Sequence, residues 1–182
     1  SKKYLIFLFF ISVISYILIF ASHTYRPDAG LYHLPFINIL NEEKIIFGLA
    51  NLHFRFGHTS IIQYLSAINY NFITGVNGIA VPSAIIASAV IVNFLSKFKS
   101  HILKKDYNFH FYYLFGILIY IFFKMNRYAE FGNDAPAHFL TFYFFSEFLK
   151  IEKKKLKLEK FLNFLLKGLF IELNKITLIL FL

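Results

Sequence analysis

The chain is 182 residues long, 58% hydrophobic and 21% aromatic, with a mean hydropathy of +0.59, well above the roughly 45–50% apolar content of soluble domains. So short a chain has too much surface to hide that many apolar side chains from water, which excludes a soluble globular domain and points to an integral membrane protein with several spans. The formal charge of +9 does not mark a nucleic-acid partner, because most of the 16 lysines flank apolar runs, where they set membrane topology.

The expected fold is all-α: a polytopic transmembrane helical bundle, one domain over residues 1–182, with surface-lying helices in its first outer loop. Residues 4–21 are apolar and uncharged, and Lys2 and Lys3 precede them. The positive-inside rule then puts the N-terminus in the cytoplasm. No small-residue cleavage pattern follows, so the run reads as an uncleaved span rather than a signal peptide. Residues 22–60 form an outer loop with Pro27, Gly30, Pro35, Gly48 and Gly57. Within it Leu31, Leu34, Ile37 and Leu40 lie at roughly helical spacing and predict an amphipathic helix at the membrane surface. Asn41, Glu42, Glu43 and Lys44 would end it.

Residues 60–72 are helical in pattern but short and polar, and read as surface-lying or re-entrant; a full crossing is the alternative. Residues 79–95 form a second span, with Pro82 tolerated in its first turn. Lys97, Lys99, Lys104 and Lys105 follow as a cytoplasmic cluster. Residues 109–125 return outward, 126–134 form a second outer loop, and 135–149 cross back as a short span to Lys150, Lys153, Lys154, Lys155 and Lys157. An amphipathic surface helix is expected over 156–173 and another span from 176. Without a starting Met, and ending within an apolar run, the chain reads as an N-terminal part of a longer protein.

Ionisable groups collect in the two outer loops. The island His23-Thr24-Tyr25-Arg26-Pro27-Asp28-Ala29-Gly30-Leu31-Tyr32-His33 has an echo in Gly132-Asn133-Asp134-Ala135-Pro136-Ala137-His138, and both run from an Asp-Ala pair to a histidine. The three arginines, Arg26, Arg55 and Arg127, all fall in outer segments, against the positive-inside trend. Arginine's planar fork of donors matches phosphate and carboxylate oxygens, so they are candidates for an outward anion site; interfacial snorkelling or pairing with Glu42, Glu43, Glu130 or Asp134 is the structural alternative.

Asp28 follows a proline at the mouth of a span, where partial burial would raise its pKa toward that of a general base; it is equally placed to cap a helix from Ala29. His23, His33, His53, His58 and His138, with Asp28 and Asp134, are the residue types of a divalent-metal site. No His-x-His or His-x-x-x-His pair supports one, and cysteine is absent, so no metal or cofactor is assigned. Asn51-Leu52-His53-Phe54-Arg55-Phe56-Gly57 alternates apolar and polar residues. It predicts an extended stretch presenting Asn51, His53 and Arg55 to one side, or a surface segment with aromatic anchors. Arg127 and Glu130 are spaced for an i,i+3 pair.

An uncharged first helix followed by an outer loop with an early aspartate and a surface helix resembles the GT-C class of integral membrane glycosyltransferases. More closely, residues 27–35 with residues 48–57 resemble an uncharacterised family of bacterial multi-pass membrane proteins that carry "D-x-G-L-Y-H" and then "G-L-x-N-L-H-x-R-x-G". The likeness covers roughly residues 20–60. It implies a bacterial inner-membrane protein that transfers sugar from a lipid-phosphate donor in cell-surface glycan assembly. Asp28 would be the base and Asp134 or Glu130 the second carboxylate, since this chain has Ala29 where the class often has an adjacent acid. Arg26, Arg55 and Arg127 would clamp the phosphate, with Asn51, His33, His53 and His138 near the substrate. The rival classes are a transporter or flippase for an anionic lipid or glycan, and a membrane scaffold without a site. The expected partners are the bilayer and a lipid-linked sugar phosphate.

Overall fold

Apolar runs build the longest elements, with Pro82 and Pro136 only in the first turns of their helices, and the polar loops break into short turns between them. The computed structural model describes residues 2–21, 27–43, 46–57, 60–128, 131–132, 134–151, 162–163 and 165–169. In chain order these form α1 (Lys2–Phe20), a π-helical turn (Ala29–His33) continuing into α2 (Leu34–Glu42), α3 (Leu49–Leu52), a 3-10 turn (Phe54–Gly57), α4 (Ile61–Asn69), a 3-10 stretch (Gly75–Ala80), α5 (Val81–Lys104), α6 (Phe109–Tyr128) and α7 (Asp134–Ile151). Among the described residues there is no strand.

Among the described residues, three helical stretches are long and apolar enough to cross a membrane: Lys2–Phe20, Gly75–Lys104 and Phe109–Tyr128. The short span expected over 135–149 is a continuous helix, α7, but not one of these three. α1 packs along α5, where Ser83, Ala84, Ala87 and Ser88 are buried; side chains that small let two helix backbones approach closely. The main core joins Ile19 of α1, Ala87 and Phe94 of α5, Leu114 and Ile121 of α6, and Phe139 of α7. The opposite side of α1 leaves Leu5, Phe9 and Phe10 exposed, as a lipid-facing surface requires. Lys99 stands 3.1 Å over the centroid of the Tyr4 ring, which sets the start of α1 beside the end of α5. Lys2, Lys3, Lys97, Lys99, Lys104 and Lys150 therefore share one end of the bundle, and the two loops expected to lie outside share the other.

The loop end has its own scaffold. Ser60 and Gln63 form a capping box at the start of α4. The Asn41 amide at the end of α2 donates to the Ala67 and Tyr70 carbonyls at 2.6 and 2.7 Å, satisfying orphan carbonyls at the end of α4. Ser66 donates to the Ile79 carbonyl at 2.8 Å. Gly78 lies so close to the Asn69 carbonyl that a Cβ there would overlap it. The nine residues of α4 rise only about 14 Å, less than half of a hydrocarbon core of about 30 Å. α4 by itself is thus too short to span, and it packs against α2 and the start of α5.

A second, smaller core joins Ala29 and Ile37 of the first loop to Ala67 of α4, Ile79 of the 3-10 stretch and Phe131 of the second loop. The extended stretch expected over 51–57 is replaced by α3, an extended His53 and a 3-10 turn. Gly48, at φ +85°, makes the left-handed step that starts α3, a conformation glycine adopts without a Cβ penalty. Residues 162–163 and 165–169 are helical within the amphipathic segment expected over 156–173; the span expected from 176 lies outside the described residues.

Candidate functional site

The candidate site, called outer after its expected side, forms where the first loop folds back on itself and meets the second. Asp28 and Tyr32 are four apart, so the helical turn through Ala29–His33 sets them on one face. Asp28 lies near enough for its carboxylate to act on the Tyr32 hydroxyl. From the 3-10 turn, Arg55 Nη1 donates to the same Tyr32 oxygen at 3.1 Å, and its guanidinium lies 4.7 Å from the Tyr32 ring centroid and 5.4 Å from that of Phe54. His53 stacks against Tyr32, Phe54 and Phe56 at 6.2, 5.2 and 5.3 Å. Phe56 in turn stacks on the buried Phe36 of α2 at 5.4 Å. The arginine thus lies against two aromatic rings and spends one of its N–H donors on the tyrosine oxygen.

The second loop closes on this group. Gly132 admits the His33 ring so closely that a Cβ there would stand 3.2 Å from Nε2. Asp134, at the start of α7, is near enough for its charge to act on Tyr32. Partial burial raises the Tyr32 pKa above the usual phenol range, and the Asp28 hydrogen bond and the charges of Asp28 and Asp134 add to this; the Arg55 charge opposes them. Asp28 is exposed rather than partly buried, and it makes no side-chain cap to the helix it begins. Both sequence expectations for its surroundings are corrected: the carboxylate is exposed and acts on Tyr32, one turn along its own helix.

The other candidates separate from this group. Asn51 is exposed in α3, with its backbone N–H turned to Gly48 at 2.9 Å. Arg127 is exposed at the end of α6. His138 packs between α6 and α7, against Tyr128 at 5.9 Å and Phe142 at 6.1 Å. Arg26, Glu130, His23 and His58 lie outside the described residues. No group of three metal-ligating side chains occurs among the described residues.

Tyr32, the hub of the outer site, was missed in the sequence, although its i,i+4 spacing from Asp28 was the available signal. A second polar cluster, at the lysine-rich end, was missed altogether. His101 Nδ1 lies 3.0 Å from the Asp106 carbonyl, His101 Nε2 lies 2.8 Å from His110 Nδ1, and His110 Nε2 lies 2.9 Å from Ser146 Oγ. A carbonyl only accepts, so His101 Nδ1 carries the hydrogen; in the neutral pair Nε2 then accepts from His110, which accepts from the Ser146 hydroxyl. The chain ties α5, α6 and α7 together. Beside it, Lys97 donates to Glu147 at 2.7 Å.

An all-helical bundle with three helices fit to cross a membrane and a polar cluster at each end is the class these features define. The family described as "Domain of unknown function (DUF8201)" matches residues 1–182, and the chain belongs to it. No curated protein and no solved structure matches the chain.

Proposed function

We propose that this chain is a polytopic membrane protein with a cytoplasmic N-terminus, and that its outer site binds the phosphate of a lipid-linked sugar and transfers the sugar to an acceptor hydroxyl. The observation that carries the reading is the convergence of Arg55, Asp28 and Asp134 on Tyr32. It supplies one cation with spare planar donors and two carboxylates at the mouth of the bundle, next to exposed apolar side chains of Leu31, Leu52 and Phe54. Those side chains suit the acyl or polyprenyl portion of a donor. The arginine suits its phosphate.

In this mechanism an Asp28 carboxylate oxygen takes the proton of the acceptor hydroxyl as that oxygen forms a bond to the sugar's anomeric carbon. The bond from that carbon to the lipid phosphate breaks, and its electron pair stays on the phosphate oxygen, where Arg55 stabilises the charge. Tyr32, held protonated, positions both groups. Asp134 serves as the second carboxylate.

The test is binding of a short polyprenyl phosphate to the protein in nanodiscs. Arg55→Gln should weaken it about tenfold or more and Arg55→Lys several-fold, because lysine keeps the charge and loses the fork. Unchanged affinity in both variants would remove the phosphate reading. A transporter of an anionic lipid is favoured by one observation, the polar groups of α5, α6 and α7 at the lysine-rich end. It predicts movement of labelled lipid between leaflets without bond cleavage.

A further inference from the structure

At the lysine-rich end, three ammonium groups converge on one carboxylate. Lys97 of α5 and Lys150 of α7 approach Glu147 Oε1 at 2.7 and 3.1 Å, and Lys167, from residues 165–169, approaches Oε2 at 3.9 Å. Lys97 and Lys167 also face the Tyr143 ring at 5.0 and 5.4 Å, and Lys167 donates to the Tyr143 hydroxyl at 3.4 Å. The group carries two positive charges more than Glu147 can balance. The Lys97 side chain is 16% exposed and that of Glu147 23%, while Lys150 and Lys167, at 42% and 44%, stand at the surface around them. Each ammonium has three donors, and Lys97 and Lys150 each spend one on the carboxylate. The other donors are open to a further acceptor.

The surroundings identify its chemistry. Phe145 and Phe148 of α7 and Leu162, Leu165, Leu166 and Leu169 are large apolar side chains left exposed on the same elements. Lys97 lies seven residues before the end of the Gly75–Lys104 stretch, a rise of about 10 Å, where a snorkelling lysine reaches headgroup level. A cation cluster bordered by open apolar side chains matches a molecule with a phosphate at one end and hydrocarbon at the other.

We infer that Lys97, Lys150 and Lys167 form a binding site for the phosphate of an anionic phospholipid at the cytoplasmic face, with its acyl chains against Phe145, Phe148 and the leucines of 162–169. Glu147 holds the lysines in register and competes with the lipid for them. This site stands apart from the outer one and does not depend on the function proposed there.

The experiment uses the full chain in vesicles of phosphatidylcholine containing phosphatidylglycerol, extracted into detergent, with bound lipid counted by mass spectrometry. Wild type should retain phosphatidylglycerol over phosphatidylcholine, and Lys150→Gln and Lys167→Gln should each lower that preference about fivefold. Glu147→Gln separates binding from structure, because it breaks the ion pairs and lowers thermal stability yet should raise phosphatidylglycerol retention. Lysines with a merely structural role would give Gln variants with wild-type retention, and that result overturns the site. Reduced retention in Glu147→Gln overturns it too. Glycerol 3-phosphate added without lipid should not displace phosphatidylglycerol at millimolar concentration; if it does, the site takes soluble phosphates and the lipid assignment fails.

Discussion

Replacing Ser146 with alanine removes one hydroxyl from the middle of a three-helix junction, and the structure sets what that costs. Ser146 is 0% exposed and His110 5% exposed, so water cannot take the hydroxyl's place at His110 Nε2. The direction of the chain, pinned by the Asp106 carbonyl, leaves that nitrogen an acceptor with nothing to accept. An orphaned buried group costs about 1–3 kcal/mol. Hydrogen bonds between membrane helices average about 0.6 and reach about 1.7 kcal/mol. Together these place Ser146→Ala near 1–2 kcal/mol. His110→Phe orphans the serine less severely, because a helical serine can turn to the carbonyl four residues back. In the double variant the two losses overlap, so its cost should fall short of the sum by about 1 kcal/mol. Reversible unfolding in mixed micelles, followed by helical circular dichroism, measures all three. Additive costs, or a Ser146→Ala variant as stable as wild type, would refute the hydrogen-bonded chain.

Other expectations follow from the same geometry. Gly78→Ala should destabilise by about 1–3 kcal/mol, because the new methyl group meets the fixed Asn69 carbonyl; a neutral result in the same unfolding assay would contradict that approach. Tyr32 should resist ionisation, so its ultraviolet phenolate signal should rise only above the ordinary pH 10, and Asp28→Asn should bring the transition down while Arg55→Gln moves it up. Since its folded pKa is raised, the stability it contributes is complete below pH 10 and is lost as pH climbs through the folded value. The chain has no cysteine, so single cysteines at Leu31 and Asn108 report topology cleanly. An impermeant thiol reagent on intact cells should label the first and spare the second.

Much of the helical scaffold was legible, because uninterrupted apolar runs and lysine clusters act locally: α1, α5 and α6 fall where hydropathy puts them, and Pro82 sits in the first turn of α5. The Ser60–Gln63 box was also present as a short sequence signature. What hydropathy cannot convey is which turns meet. Residues 51–57 alternate like a strand, but the left-handed Gly48 and packing of Phe56 on Phe36 make them helical turns. Asp28 and Asp134 looked alike as charged loop residues; their shared influence on Tyr32 depends on a core of Ala29, Ile37 and Phe131 assembled from distant segments. His101 and His110 sit near lysines that read as a topology signal, and only the antiparallel return of α6 along α5 brings the two rings together.

The central claim is that the outer site moves a sugar from a lipid phosphate with Asp28 as base. The direct measurement is transfer of radiolabelled hexose from polyprenyl phosphate carriers in proteoliposomes, wild type beside Asp28→Asn, with phosphate-carrier binding measured on the same samples. The account predicts that Asp28→Asn keeps binding, which Arg55 provides, and loses transfer by about a hundredfold or more. Transfer by Asp28→Asn at the wild-type rate, or a wild type that transfers from none of the carriers, would contradict it.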